Sequence, residues 1–227
     1  MPAGKRSPWE SVRDAIENSR TLTLRTATYL PRERAHIDRI LAAFLAAAGM
    51  HELKNKLSYC IHELAGNAKK ANTKRLFFRD SRLNIENPFD YTAGMALFKT
   101  EMIERAGFFE QRLRDENLFV TFQFRTIRGG VRIRVRNNAE ITTDEQRRIR
   151  QKLAIVERFN CLADAYSISE DNAEGAGLGI VMMLFMLKTL GFGRDAFDVR
   201  AVRGETVATL TLIDPQARAQ GPGSVTA

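Results

Sequence analysis

Cysteine and histidine are scarce in this chain of 227 residues, which has two cysteines, Cys60 and Cys161, and three histidines, His36, His51 and His62. Neither type shows the paired spacing of a zinc site or a disulfide framework, so both thiols are read as reduced and no transition-metal site is expected. No run of about 18 uncharged apolar residues is present, which leaves no candidate membrane span. The opening residues MPAGKRSPWESVRD are basic but lack the apolar stretch of a secretory signal, so a cytoplasmic location is expected. Acidic residues are outnumbered: 35 Lys and Arg against 27 Asp and Glu give a formal net charge of +8. The arginines run along the whole chain without a recognised nucleic-acid motif. The excess therefore reads as a generally basic surface, not as a nucleic-acid site.

What is present is the patterning of one soluble α/β domain. Residues 9–20 read as a short helical extension, and TLTLRTATY at 21–29 as a strand. Pro31 opens a helix whose apolar residues Ile37, Ile40, Leu41, Phe44 and Leu45 recur at helical spacing until Gly49. A second helix is expected over 51–72. RLFFRD at 75–80 reads as a strand, and 81–117 as an inserted loop plus helix with NPFDY as its turn. LFVTFQFRT and VRIRVRN alternate on either side of Arg128, Gly129 and Gly130, a hairpin signal. Thr142 or Thr143 caps a helix running to Phe159, with Asp144 and Glu145 in its first turn. GIVMMLFMLKTLG is a buried helix, FDVRAV and ETVATLTLI are closing strands, and the tail 214–227 is expected to be disordered. This order predicts an α+β two-layer sandwich, its helices packed on one face of a mixed, mostly antiparallel sheet.

Two segments carry the chemistry. In ELAGNAKKA, Glu63, Asn67 and Lys70 stand at steps of four and three beside the apolar stripe Leu57, Ile61, Leu64, Ala68 and Ala71. A carboxylate, an amide and an amine thus converge at the edge of the core. Such a set suits a metal-nucleotide site: Asn67 offers an oxygen to Mg²⁺, Lys70 neutralises phosphate and Glu63 orients or deprotonates water. In EGAGLGI, Gly175, Gly177 and Gly179, with Leu178 among them, lead directly into a buried helix, so free backbone amides and the helix dipole can meet an anion. Each segment alone has a plainer reading, a solvated helix face or a flexible turn.

Together, and in this order, they resemble the GHKL superfamily of histidine-kinase-like ATPases (the Bergerat fold), over about Leu22 to Ile213. ELAGNAKKA looks like its N box. The resemblance implies Asn67 as the Mg²⁺-binding asparagine, Lys70 as a phosphate contact and Glu63 as the base of hydrolysing members. EGAGLGI looks like the glycine box that closes over the phosphates. RGETVATLTLI looks like the last conserved stretch, with Thr206 near the nucleotide. The implied cofactors are ATP and Mg²⁺, the implied setting is signal transduction, and the implied acceptor of any phosphoryl group is water or a protein partner in trans. His51 is not read as that acceptor, because it begins the helix that carries Asn67 and is not on a separate hairpin. His62 is read as a packing or orienting residue.

The family usually carries Val-x-Asp-x-Gly-x-Gly between these boxes, its aspartate accepting from the adenine amino group. Here Asn137 stands at the aspartate, and Ala139 and Ile141 replace the glycines. Loss of the charge-assisted bond predicts adenine affinity weaker by about 1–2 kcal/mol, and the lost glycines predict a different loop path. Two readings stay open: an ATP-binding protein, with ATPase or kinase activity if turnover occurs, or a non-catalytic domain that keeps the fold as an interaction module. In VRIRVRN, Arg132, Arg134 and Arg136 share the sheet face away from the helices. That face is read as solvated, with a salt-sensitive docking surface for an acidic partner or nucleic acid as the alternative.

Overall fold

Helix starts are set by local chemistry that the structure, a computed structural model describing residues 7–159 and 178–215, makes explicit. Ser7 caps α1 (Pro8–Glu17) in a capping box with Glu10, and Thr142 caps α6 (Thr143–Arg158) in another with Glu145. Pro31 is the first residue of α2 (Pro31–Ala47), where its missing N–H costs nothing. A 3₁₀ turn at His51–Leu53 leads into the long α3 (Lys54–Asp80), followed by α4 (Pro88–Glu104) and α5 (Ala106–Asp115). α7 (Leu178–Thr189) completes the helices among the described residues.

The strands are β1 (Leu22–Thr26), β2 (Val120–Ile127), β3 (Gly130–Asn137), β4 (Phe197–Val202) and β5 (Glu205–Ile213), in spatial order β1-β2-β3-β5-β4. All four pairings are antiparallel. β2 and β3 join through Arg128 and Gly129, the latter at φ 72°; β4 and β5 join through Arg203 and Gly204, both at positive φ, as a twisted hairpin turn requires. Gly130 allows the approach of β5, since a methyl group there would lie 1.9 Å from the Leu212 carbonyl oxygen.

Alternation along the strands divides the sheet. Val131, Ile133 and Val135 of β3, Phe122 and Phe124 of β2, and Leu210 and Leu212 of β5 are buried against Phe44, Leu45, Leu57 and Ile61 of α2 and α3. The opposite face carries Arg132, Arg134 and Arg136. The expected two-layer α+β architecture is therefore present.

RLFFRD is not a strand; it forms the last turns of α3. A short apolar run cannot be assigned from its periodicity alone. Here Leu76, Phe77 and Phe78 are all buried because the insertion surrounds them, forming a separate cluster with Met95, Phe98 and Phe109. The insertion at 81–117 contains two helices, not one, and Gly94 of α4 lets the Phe78 ring approach within 2.5 Å of where a Cβ would stand. The expected first strand is also shorter than 21–29, ending at Thr26. The tail beyond 215 lies outside the described residues, as does Cys161.

Candidate functional site

α3 crosses the sheet and presents Glu63, Asn67 and Lys70, each half-buried. Asn67 Nδ2 donates to Glu63 Oε1 at 2.9 Å. Across the seam stands Gly179, in the first turn of α7: a methyl group at this position would fall 1.9 Å from Glu63 Oε1. The two motifs meet at this contact, with the glycine's bare backbone against the carboxylate. Tyr59 and Met182 extend the same α3–α7 seam, with the hydroxyl 3.7 Å from the sulfur. Leu178 begins α7 and is half-buried, whereas Gly175 and Gly177 lie outside the described residues.

The Asn67 amide has a determined orientation. A carboxylate only accepts, so the nitrogen must face Glu63. Among the described residues, the Asn67 Oδ1 atom is left without a hydrogen bond.

A second group lies about 7.5 Å farther along the α3 axis, at Asn72. Asn137 closes β3 opposite Thr206 of β5 and is 3% exposed. Its Nδ2 donates to Asn72 Oδ1 at 3.1 Å and to the Ala139 carbonyl at 3.2 Å, and Thr206 Oγ1 donates to that same carbonyl at 2.7 Å. Asn72 Nδ2 donates in turn to the Phe119 carbonyl at 3.0 Å. Because the Ala139 carbonyl can only accept, the Asn137 nitrogen points to it, and no described residue donates to the Asn137 oxygen. Ala139 and Ile141 both have negative φ, so side chains fit this loop without strain.

α6 covers the region from the other side. Burial lowers the pKa of Lys152, as does neighbouring Arg148; Lys70 acts in the same direction and Glu63 opposes them. Lys152 thus belongs electrostatically with Glu63 and Lys70, although it lies in no recognisable motif. α6 is anchored by Glu145, whose carboxylate meets Lys74 Nζ at 2.6 Å and Arg75 Nη2 at 2.5 Å. Burial disfavours the charge on Glu145, yet the two cations outweigh it and hold the carboxyl at about 2. Arg148 also donates to the Tyr91 hydroxyl of α4 at 2.9 Å, so the insertion helps to fix the covering helix.

Asn72 went unread in the sequence, although a step of four from Ala68 along the core stripe reaches it. The structure buries Asn72 to 1% and leaves Ala71, the expected core residue, half-buried. His62 bonds the Tyr29 hydroxyl through Nδ1 and Asp38 through Nε2, and Ser58 donates to the same carboxylate. That network ties α2 to α3, which fits a packing and orienting role. A pocket of about 320 Å³ between α6, α7 and the turn before β4, lined by Leu153, Leu184, Phe192 and Arg194, contains none of the expected site residues. No described helix is long and apolar enough to cross a membrane.

An uncharacterized protein of Treponema pallidum (strain Nichols) is 36% identical to this chain over 204 residues, which cover 89% of the chain and 40% of that relative. The chain thus spans less than half the length of the relative it matches. No protein-family model and no solved structure matches it.

Proposed function

We propose that the chain is a GHKL-type ATP-binding domain acting in cytoplasmic signalling. The observation that carries this reading is the meeting of Glu63, Asn67 and Gly179, in which a carboxylate, an amide and a close-approach glycine converge from the two motifs. The donor set fits a hard cation and a phosphate chain: Asn67 Oδ1 would be the uncharged oxygen ligand for Mg²⁺, and Lys70 and Lys152 would supply positive charge beside it. Bound Mg²⁺-ATP supplies the activated phosphoryl group. Glu63 holds Asn67 through Oε1 and keeps Oε2, which accepts no hydrogen bond among the described residues, to orient or deprotonate water. On the adenine side, the Asn137 oxygen, to which no described residue donates, would accept from the exocyclic amine, while Thr206 holds the Ala139 carbonyl. With ATP bound, the γ-phosphoryl group would pass to water or to a side chain of a partner protein in trans, with ADP as the leaving group.

Isothermal calorimetric titration with ATP and a non-hydrolysable analogue, with and without Mg²⁺, tests this reading. Binding strengthened by Mg²⁺ is expected, and Asn67→Ala should remove the Mg²⁺ dependence. Absence of heat at millimolar nucleotide would sink the proposal.

One observation favours a second reading, a domain that keeps the fold as an interaction module without turnover. Asn137, at the position where the resemblance puts an adenine-binding aspartate, is neutral, and its nitrogen is already committed to Asn72 and Ala139.

A further inference from the structure

The sheet face away from the helices is crowded with like charge. Arg125 of β2 and Arg132 of β3 are direct cross-strand partners of like charge, the Arg125 guanidinium donating to the Ser19 carbonyl at 3.1 Å. Arg134 lies between Gln123 and Thr209 and is exposed. The acids on this face are already taken: Glu205 pairs with Arg136, and Asp198 pairs with Arg200 at 2.6 Å. No described carboxylate pairs with Arg132 or Arg134, and the buried Nε of Arg136 has no acceptor. The centre of the sheet therefore holds guanidinium groups whose counter-charge must come from elsewhere.

We infer that this face docks an acidic, extended polypeptide segment of a partner protein. Arg132, Arg134 and Arg136 project at every second residue, about 7 Å apart along the strand, the repeat at which an extended chain presents alternate Asp or Glu side chains. Arg132 and Arg134 each offer a fork that matches a carboxylate, Arg136 being held by Glu205, and the intervening Thr121, Gln123 and Thr209 add neutral hydrogen-bonding groups. Nucleic acid fits this face less well. The described strands present no aromatic ring on it for base stacking, the neighbouring Phe119 ring being covered by Arg25, and a broad sheet has no element to enter a groove. The surface lies on the opposite side of the sheet from Asn137 and Thr206, so the inference does not rest on nucleotide binding.

Fluorescence anisotropy with a labelled peptide of alternating Glu and Thr tests it, using the Gln-for-Glu peptide and single-stranded and duplex oligonucleotides of equal charge as competitors. The Glu peptide should bind, lose affinity as salt rises, and outcompete both the Gln peptide and the oligonucleotides. Arg132→Gln with Arg134→Gln should weaken it about tenfold, while calorimetry with ATP gives the same result for this variant as for the parent chain. Should the double variant fail to fold, the exposed Arg134→Gln alone is expected to weaken binding by about threefold. Three results would overturn the inference: no binding of the Glu peptide, binding indifferent to these substitutions, or an oligonucleotide that binds more tightly through the same arginines.

Discussion

Gly179 and Glu63 share one space: a methyl group at Gly179 would sit 1.9 Å from Oε1 of Glu63 and 2.1 Å from its Cδ. The Glu63 carboxylate can lie against the backbone of α7 only because residue 179 has no side chain. Gly179→Ala should push the carboxylate away, break its bond to Asn67 and cost about 1 kcal/mol for the lost bond. Thermal unfolding of Gly179→Ala alone and combined with Glu63→Ala measures this. The double variant is expected to recover most of the loss, because the methyl group then meets empty space; a purely additive result would disprove the contact.

Asn137 is held by donation from its amide nitrogen. Asn137→Asp places a carboxylate oxygen against the Ala139 carbonyl and withdraws the donor from Asn72. A cost of about 1–3 kcal/mol is expected in the absence of nucleotide, readable as a lower urea midpoint with unchanged slope. Thr206→Val, which removes the other donor to that carbonyl, should cost about 1 kcal/mol. The two effects should be non-additive because they share one acceptor.

Glu145 makes stability depend on acid. Its folded pKa, about 2, lies below the ordinary value of 4.5. The unfolded chain therefore takes up the proton first as pH falls. Its contribution is fully present above about pH 5 and is lost as pH drops towards 2. Glu145→Gln should flatten the decline of stability over that interval and lower stability at neutral pH, since Lys74 would then be buried beside a neutral group. Chemical denaturation across this pH range checks both, and an unchanged acid limb would refute the assignment.

The satellite core is expected to matter to the covering helix. Phe98 is fully buried among Phe77, Phe78 and Phe109, and Phe98→Ala should cost about 3–5 kcal/mol. Because Tyr91 of the same helix receives the Arg148 bond, hydrogen exchange in α6 should accelerate in this variant, while the β2–β3 hairpin keeps its protection.

The features legible in the sequence were those written in local chemistry. The β2–β3 hairpin was marked by strict alternation about two glycines, the start of α6 by Thr142 and Glu145, and the pairing of Glu63 with Asn67 by a step of four on a helix. RLFFRD was misread because its three adjacent apolar residues are buried in different directions by helices from the insertion, whose partnership has no local signature. Asn72 and Lys152 were missed for a related reason. Each is an ordinary polar residue in a helix, and only the approach of β3 to one and of α3 to the other gives it its neighbours, Asn137 and Glu63.

β3 has two neighbours of very different origin. It meets β2 across a two-residue turn, but it meets β5 only after α6 and α7 have been traversed. Closing the long loop carries a larger entropic cost than closing the short one. Pulse-labelled hydrogen exchange should therefore find the β2–β3 amides protected before those of β5. In time as well as in space, the point where Thr206 reaches the Ala139 carbonyl is the last part to be assembled, so a chain arrested late in folding would own a hairpin whose Asn137 end still lacks its β5 neighbour.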